Sequence, residues 1–284
     1  MSTTRLLRPL ALATLLATGL AACVSTTQQG ATGINRSQFM LLSSSQVDAA
    51  AIESYRGELT KARGKSALNT DKVNLERIRR IADRLIPQVT VFRGDARNWQ
   101  WEVNLETRNE LNAYCAPGGK IMFFTGIITK LKLSDDEIAA IMGHEMAHAL
   151  REHGRERMSQ AYAQSAGLGI LGAVTGMSAG TGEVVKMAAQ VGLSLPHNRK
   201  QESEADILGL ELLARAGYNP NAAVSLWQKM SQATGNTQGS FLSTHPGSSE
   251  RIQSLQAAIP RVMPLYEQAR RNPPPVRPVV PRTS

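Results

Sequence analysis

Residues 134–156 read as one helix, and it carries His144 and His148 four positions apart with Glu145 beside the first. Ser134 is a good N-cap, and Asp135, Asp136 and Glu137 follow it at the positive end of the helix dipole. Residues i and i+4 share a face of an α-helix. Both imidazoles can therefore grip one metal ion, and Glu145, one step round, can reach a water on that ion. A helix built this way constrains the whole fold, because its histidine face must meet a further ligand supplied from elsewhere in the chain.

Two neutral imidazoles with an adjacent carboxylate are the arrangement used for zinc-dependent peptide hydrolysis. A catalytic zinc ion usually takes three protein ligands, so one more is required. The candidates cluster in Gln201-Glu202-Ser203-Glu204-Ala205-Asp206. At about 100° per residue, Glu202 and Glu204 point about 200° apart, so only one can face the metal helix. The row through Glu202 continues to Asp206, Gly209 and Leu213, small or apolar beyond the acids. The row through Glu204 continues to Ile207, Glu211 and Arg215 and ends wet. Glu202 is therefore the expected ligand. Asp206, one turn on, is placed to accept a hydrogen bond from the far nitrogen of a ligating histidine. Glu204 reads as a surface or salt-bridging acid.

Around these motifs the chain is mainly helical. Helical spacing covers residues 47–63 and 71–86, the second with Val73, Leu75, Ile78, Ile81, Ala82 and Leu85 on one face. Period-two alternation at 99–105 marks a strand, 110–115 and 120–125 read as two more, and Pro117-Gly118-Gly119 turns between them. A short helix is expected at 126–133, and longer ones at 199–216, 219–232 and 250–258. Residues 161–195 are rich in Gly, Ala, Ser and Met; they read as a close-packed helix pair with a glycine-rich turn, or as a flap near the site. The fold class is α+β, mainly helical, with a small β-sheet packed beside the metal-binding helix.

The first 22 residues read as a leader. Arg5 and Arg8 precede an apolar run too short to span a bilayer. Leu20-Ala21-Ala22-Cys23 resembles a bacterial lipobox, which makes Cys23 the lipidation site. Residues 23–45, rich in Ser, Thr, Gln and Gly, are expected to form a flexible tether, 46–267 the folded domain, and 268–284 a disordered proline-rich tail. With Cys23 lipidated, the one other cysteine, Cys115, has no disulfide partner and reads as a buried thiol. The formal charge of +9 reads as a basic surface or as attraction to anionic lipid headgroups. Nucleic acid is not an expected partner: there is no basic helix, no interleaved aromatics and no finger spacing.

His144-Glu145-Met146-Ala147-His148 together with Glu202-Ser203-Glu204-Ala205-Asp206 resembles the zinc metallopeptidases that include the CAAX prenyl endopeptidase, the bacterial heat-shock membrane protease and periplasmic quality-control proteases. The likeness extends to Asn112 through Gly119 with Thr125-Gly126, to Arg199, and to Thr244-His245-Pro246 followed by Glu250-Arg251-Ile252. With no spanning helix in the sequence, the chain resembles the periplasmic lipoprotein branch, although the lipobox start is a feature that only some bacterial members share. The resemblance implies a zincin-type peptidase domain with one Zn²⁺ held by His144, His148 and Glu202, Glu145 as catalytic base, and Asp206 behind the ligands. It also gives His245 a place at the site, either donating to the oxyanion or, in a closed state, binding zinc and displacing its water. His153 and His197 carry no expected role. The strand at 120–125 is the expected docking edge for an extended substrate. The implied substrates are unfolded or misfolded envelope proteins, and the implied location is the periplasmic face of the outer membrane, with a lipid anchor and possible envelope partner proteins. The competing reading is a holdase or chaperone on the same fold with little proteolysis.

Overall fold

The computed structural model describes residues 23–170, 196–233, 241–274, 276 and 278. The leader at 1–22, most of the glycine-rich stretch (171–195) and part of the proline-rich tail (275, 277 and 279–284) lie outside the described residues.

Strand β1 (Cys23–Val24) pairs antiparallel with β2 (Gln38–Phe39), and helices α1 (Ser44–Gly64) and α2 (Lys72–Leu85) follow. Strands β3 (Glu102–Glu106), β4 (Ala113–Ala116) and β5 (Lys120–Phe124) form a sheet in the order β3-β5-β4. β5 runs parallel to β3 and antiparallel to β4. Helices α3 (Thr125–Lys130), α4 (Asp135–Leu150), α5 (His153–Ile170), α6 (Arg199–Arg215), α7 (Ala222–Ala233), α8 (Phe241–Thr244) and α9 (Ser249–Arg271) complete the chain.

α4 is the centre of the molecule. The Ser134 hydroxyl accepts from the Glu137 amide at 3.2 Å and the Glu137 carboxylate accepts from the Ser134 amide at 2.8 Å, a reciprocal cap. Every residue from Glu137 to Leu150 is buried, because α2, β4, α6 and α7 cover the helix on all sides. Its closest neighbour is α6. Gly143 and Gly209 meet at the crossing, where a Cβ on Gly209 would lie 2.8 Å from the His144 nitrogen. Two glycines thus let the histidine helix and the acidic helix approach closely. Ile78, Leu85, Ile121, Phe123, Ile138, Ile141, Leu208 and Leu212 pack into one core around this pair and the sheet.

Four expectations are corrected. The motif helix does not run to 156: it ends at Leu150, Glu152 takes a left-handed turn with φ +49°, and α5 starts afresh at His153. β5 is the central strand, buried throughout and bonded on both sides, so it has no free edge for substrate; the edge beside α4 is β4. The last long helix continues to Arg271 through Pro260 and Pro264. Both prolines are exposed, while Arg251, Leu255, Ala258, Val262 and Ala269 keep a buried stripe, so the carbonyls the prolines leave unbonded face water. Residues 23–45, read from their composition as a flexible tether, instead lie against the domain at 24–43, and Ser44 already begins α1. Thr27, Thr32, Gln38, Met40 and Leu42 are buried there. Polar composition signals disorder only where no polar groups are waiting to be paired, and here several are.

Candidate active site

His144 and His148 leave α4 on its α6-facing side, and Glu202, in the first turn of α6, reaches back to meet them. Their Nε2 atoms are 3.1 Å apart, with Glu202 Oε2 3.5 Å from His144 Nε2 and Glu202 Oε1 3.3 Å from His148 Nε2. A tetrahedral ion about 2.0–2.1 Å from each donor needs donors about 3.3 Å apart, so the three atoms are spaced as ligands. His245, after α8, brings Nδ1 to 3.2 Å from His144 Nε2 and 3.0 Å from Glu202 Oε1. All four side chains are buried, and one donor atom from each lies within 4.8 Å of the others. His245 therefore stands at the fourth vertex, where a catalytic site keeps its water.

The donor set fits a divalent cation. Glu145 Oε1 is buried with no hydrogen-bond partner among the described residues, 3.4 Å from His245 Nε2. Burial raises the Glu145 pKa, and the nearby His245 and His144 rings only partly oppose this. Burial works to lower the His144 pKa, but Asp206 and Glu202 beside it hold it up at about 9. The field of these carboxylates favours positive charge at the centre of the cluster.

Asp206 lies one turn below Glu202, with Oδ1 3.0 Å from His144 Nδ1. Arg251, on α9, binds both acids. It donates to Asp206 through Nε and Nη2, each at 2.6 Å, and its Nη1 lies 2.7 Å from Glu202 Oε2. The same guanidinium donates to the Pro246 carbonyl at 3.0 Å and sits 3.7 Å over the Trp227 ring. Sequence reasoning gives Arg251 no role. Its only signal is its place behind the Thr244-His245-Pro246 segment. His153 and His197 have no role in the sequence either, yet His153 is buried with Nδ1 2.8 Å from His148 Nδ1, and the centre of the His197 ring lies 3.9 Å from that of His148, the rings tilted by 44°.

A cleft of about 120 Å³ opens beside Glu145 and His148, bounded by Tyr55, Tyr114, Cys115 and Met158. β4 forms one wall. Among the described residues only β5 pairs with it, so its outer edge faces the cleft. Cys115 is the buried thiol the sequence suggested, and burial pushes its pKa well up.

The family model described as Peptidase family M48 matches residues 73–259, about two thirds of the chain. The chain belongs to peptidase family M48. The match begins in α2 and ends in α9, so it takes in the sheet, both motif helices and the His245 segment. The M48 chain is 36% identical over 163 residues to the mitochondrial metalloendopeptidase OMA1 of Schizosaccharomyces pombe, covering 57% of this chain and 47% of that protein. It is 38% identical over 158 residues to OMA1 of Arabidopsis thaliana, covering 56% and 31%. It is 28% identical over 156 residues to the metalloprotease LoiP of Escherichia coli, covering 52% and 58%. The matched segment thus spans less than two thirds of each of these relatives.

Proposed function

We propose that this M48 chain is a zinc-dependent endopeptidase of the bacterial envelope, anchored to the outer membrane through a lipid on Cys23 and acting on unfolded or misfolded envelope proteins. One observation carries the hydrolase reading: His144, His148 and Glu202 converge at ligand spacing with an unpartnered Glu145 oxygen alongside. The lipobox, with the resemblance to periplasmic lipoproteins that it suggests, supports the envelope setting. No described helix is long and apolar enough to cross a membrane, which suits attachment through a lipid.

Zinc held by these residues supplies a Lewis acid and brings the pKa of a water from about 16 towards 7. Glu145 accepts the proton of the attacking water and passes it to the leaving amine, a transfer worth typically 10²–10⁴-fold. Its raised pKa suits both halves of that exchange. His144, His148 and Glu202 would hold the zinc, and His245, which stands in the loop after the short α8 against the same three side chains, would have to draw aside for water to reach Glu145 there. An extended substrate adds to the outer edge of β4, not to β5, and lies along the cleft past Glu145. Main-chain pairing reads little sequence and needs an unfolded segment.

Zinc counting by mass spectrometry and a casein digest, run on purified wild type and Glu145→Gln, test this reading. One zinc in each protein, with cleavage only by wild type, is the expected result. A wild type that holds no zinc, or a mutant that cleaves appreciably, overturns it. Casein binding that persists after chelation in a wild type that never cleaved selects the holdase.

A further inference from the structure

Histidine ligands need their far nitrogen held, and the two here are held differently. His144 faces a carboxylate directly, Asp206 at 3.0 Å. His148 faces another imidazole. Its Nδ1 is 2.8 Å from His153 Nδ1, and His153 Nε2 is 3.1 Å from Glu204 Oε2. Glu204 in turn accepts from Arg151, through Nη2 at 3.0 Å and Nε at 3.2 Å, and from Arg36 Nε. His153 and Arg151 are wholly buried and Glu204 nearly so.

We infer that Glu204 and His153 form a relay that sets the tautomer of His148, and that residues 24–43 clamp this relay through Arg36. The inference rests on the zinc-peptidase reading. A carboxylate only accepts, so His153 must present its proton at Nε2. A neutral His153 then has a lone pair at Nδ1, and His148 Nδ1, which faces it at 2.8 Å among the described residues, must donate. That leaves the lone pair of His148 on Nε2, aimed at the ligand cluster. The reverse arrangement puts a proton on His148 Nε2, where it blocks a metal, and turns a His153 lone pair against the Glu204 charge. One ionised carboxylate two hydrogen bonds from the site thus selects the metal-binding form of the second ligand. A metal on His148 Nε2 requires the same tautomer, with the proton on His148 Nδ1 pointing at the His153 Nδ1 lone pair 2.8 Å away.

The clamp comes from the segment that begins at Cys23. Arg36 also donates to Glu156, at 2.6 and 2.9 Å, so it joins α5 to α6. Arg151 Nη2 donates to the Arg36 carbonyl at 2.9 Å and Nη1 to Thr27 Oγ1 at 3.0 Å. Gln38 donates to the Arg151 carbonyl at 2.6 Å. Lifting this segment would strip partners from both Glu204 and Arg151. His153, Glu204 and Arg36 are positioning residues: none touches the cleft's reacting groups.

The test compares variants that differ in what the relay offers to His148. An Asn in place of His153 puts an amide oxygen near the Nδ1 position and can accept from His148; a Leu cannot. Zinc affinity of the full chain is measured by competition with a chromophoric chelator, beside the melting temperature of the zinc-free protein. His153→Leu should weaken zinc binding roughly 10- to 100-fold, the usual cost of removing a partner behind a ligand. His153→Asn should recover most of it, although both variants lose the bond to Glu204. Arg36→Met, made in the N-terminal segment, should weaken binding in the same direction by less, and it stands in if the His153 variants do not fold. In the cobalt-substituted protein, the exchangeable His148 Nδ1 proton should be protected from solvent in wild type and lost in His153→Leu. Equal zinc affinities for His153→Leu and His153→Asn, or an Arg36→Met affinity equal to wild type, overturns the relay. So does a wild type that binds two zinc ions and loses one when His153 is replaced, since the facing nitrogens of His148, His153 and His197 would then be a second site. A wild type with no zinc at all overturns the function instead, which keeps the two failures distinct.

Discussion

Helix α6 presents two rows of buried carboxylates. Glu202 and Asp206 face α4, where they meet two histidines and Arg251. Glu204 and Glu211 face away, yet they are no wetter: Glu204 binds Arg36, Arg151 and His153, and Glu211 accepts from the Ala31 and Thr32 amides at 2.9 Å and from the Thr32 hydroxyl at 2.8 Å. The residue types and the helical period are the same in both rows. What differs is the partner. One row meets Arg251 and, beside it, two imidazoles at ligand spacing. The other meets guanidinium, imidazole and amide donors with no such pair of rings facing one point among the described residues. A buried carboxylate is set up as a metal ligand where further donor atoms converge with it on one centre.

The largest test of this contrast swaps one acid in each row for its amide. Glu202→Gln should lose zinc and with it casein turnover, while Glu211→Gln keeps both and loses about 1–3 kcal/mol of stability, the cost of an impaired buried hydrogen-bond group. Zinc counting and urea denaturation separate these outcomes; loss of zinc in Glu211→Gln would break the division between the rows. Next in size, Asp206→Asn should weaken zinc affinity about 10–100-fold without emptying the site at saturating zinc, as chelator competition would show. Gly209→Ala probes the contact between the rows' helix and α4. Its Cβ would press on the backbone at Gly143 and His144, so we expect about 1–3 kcal/mol lost by overpacking. That corresponds to roughly 2–4 °C in melting temperature per kcal/mol. An unchanged melting temperature would mean that the helices do not meet at this glycine.

The smallest effect is in pH. Glu204 is pulled from the ordinary carboxyl value of 4.5 to about 2 in the folded chain. A depressed folded pKa contributes stability that is present above the unfolded value and lost as pH falls through the folded one. Zinc-free protein should therefore lose urea resistance between about pH 5 and pH 2, and Glu204→Gln should flatten that decline. An equally steep decline in the variant would show that Glu204 is not the group responsible.

The metal helix and its cap were legible because each follows from local periodicity; the row through Glu204, read as ending wet, is instead buried at Glu204 and Glu211, so partners and not exposure distinguish it from the Glu202 row. The hydrophobic face of α2 and the positions of the three strands were legible for the same reason. Strand order was not: a 120–125 strand reads the same at an edge or in the centre, and pairing across the sheet decides it. Nor was the break after Leu150, since Arg151 and Glu152 are ordinary helix residues and the turn depends on Arg151 being drawn toward Glu204 and Thr27. The N-terminal segment was misread because composition cannot show that buried donors and acceptors elsewhere are waiting for it. His153 and Arg251 were missed because each works through a partner more than 40 positions away.

By itself, then, the order of residues determined which side chains share a helix face and which chemistry that face can host, because 3.6 residues per turn is a local rule. It determined that Glu145 stands beside two histidines and that small residues line the acidic helix. Only the tertiary structure decided which side chain stands at the fourth vertex, which strand keeps a free edge, and which buried acids hold other residues in place. Those depend on distances between segments far apart in the chain, and burial makes each unpaired charge costly enough to fix them.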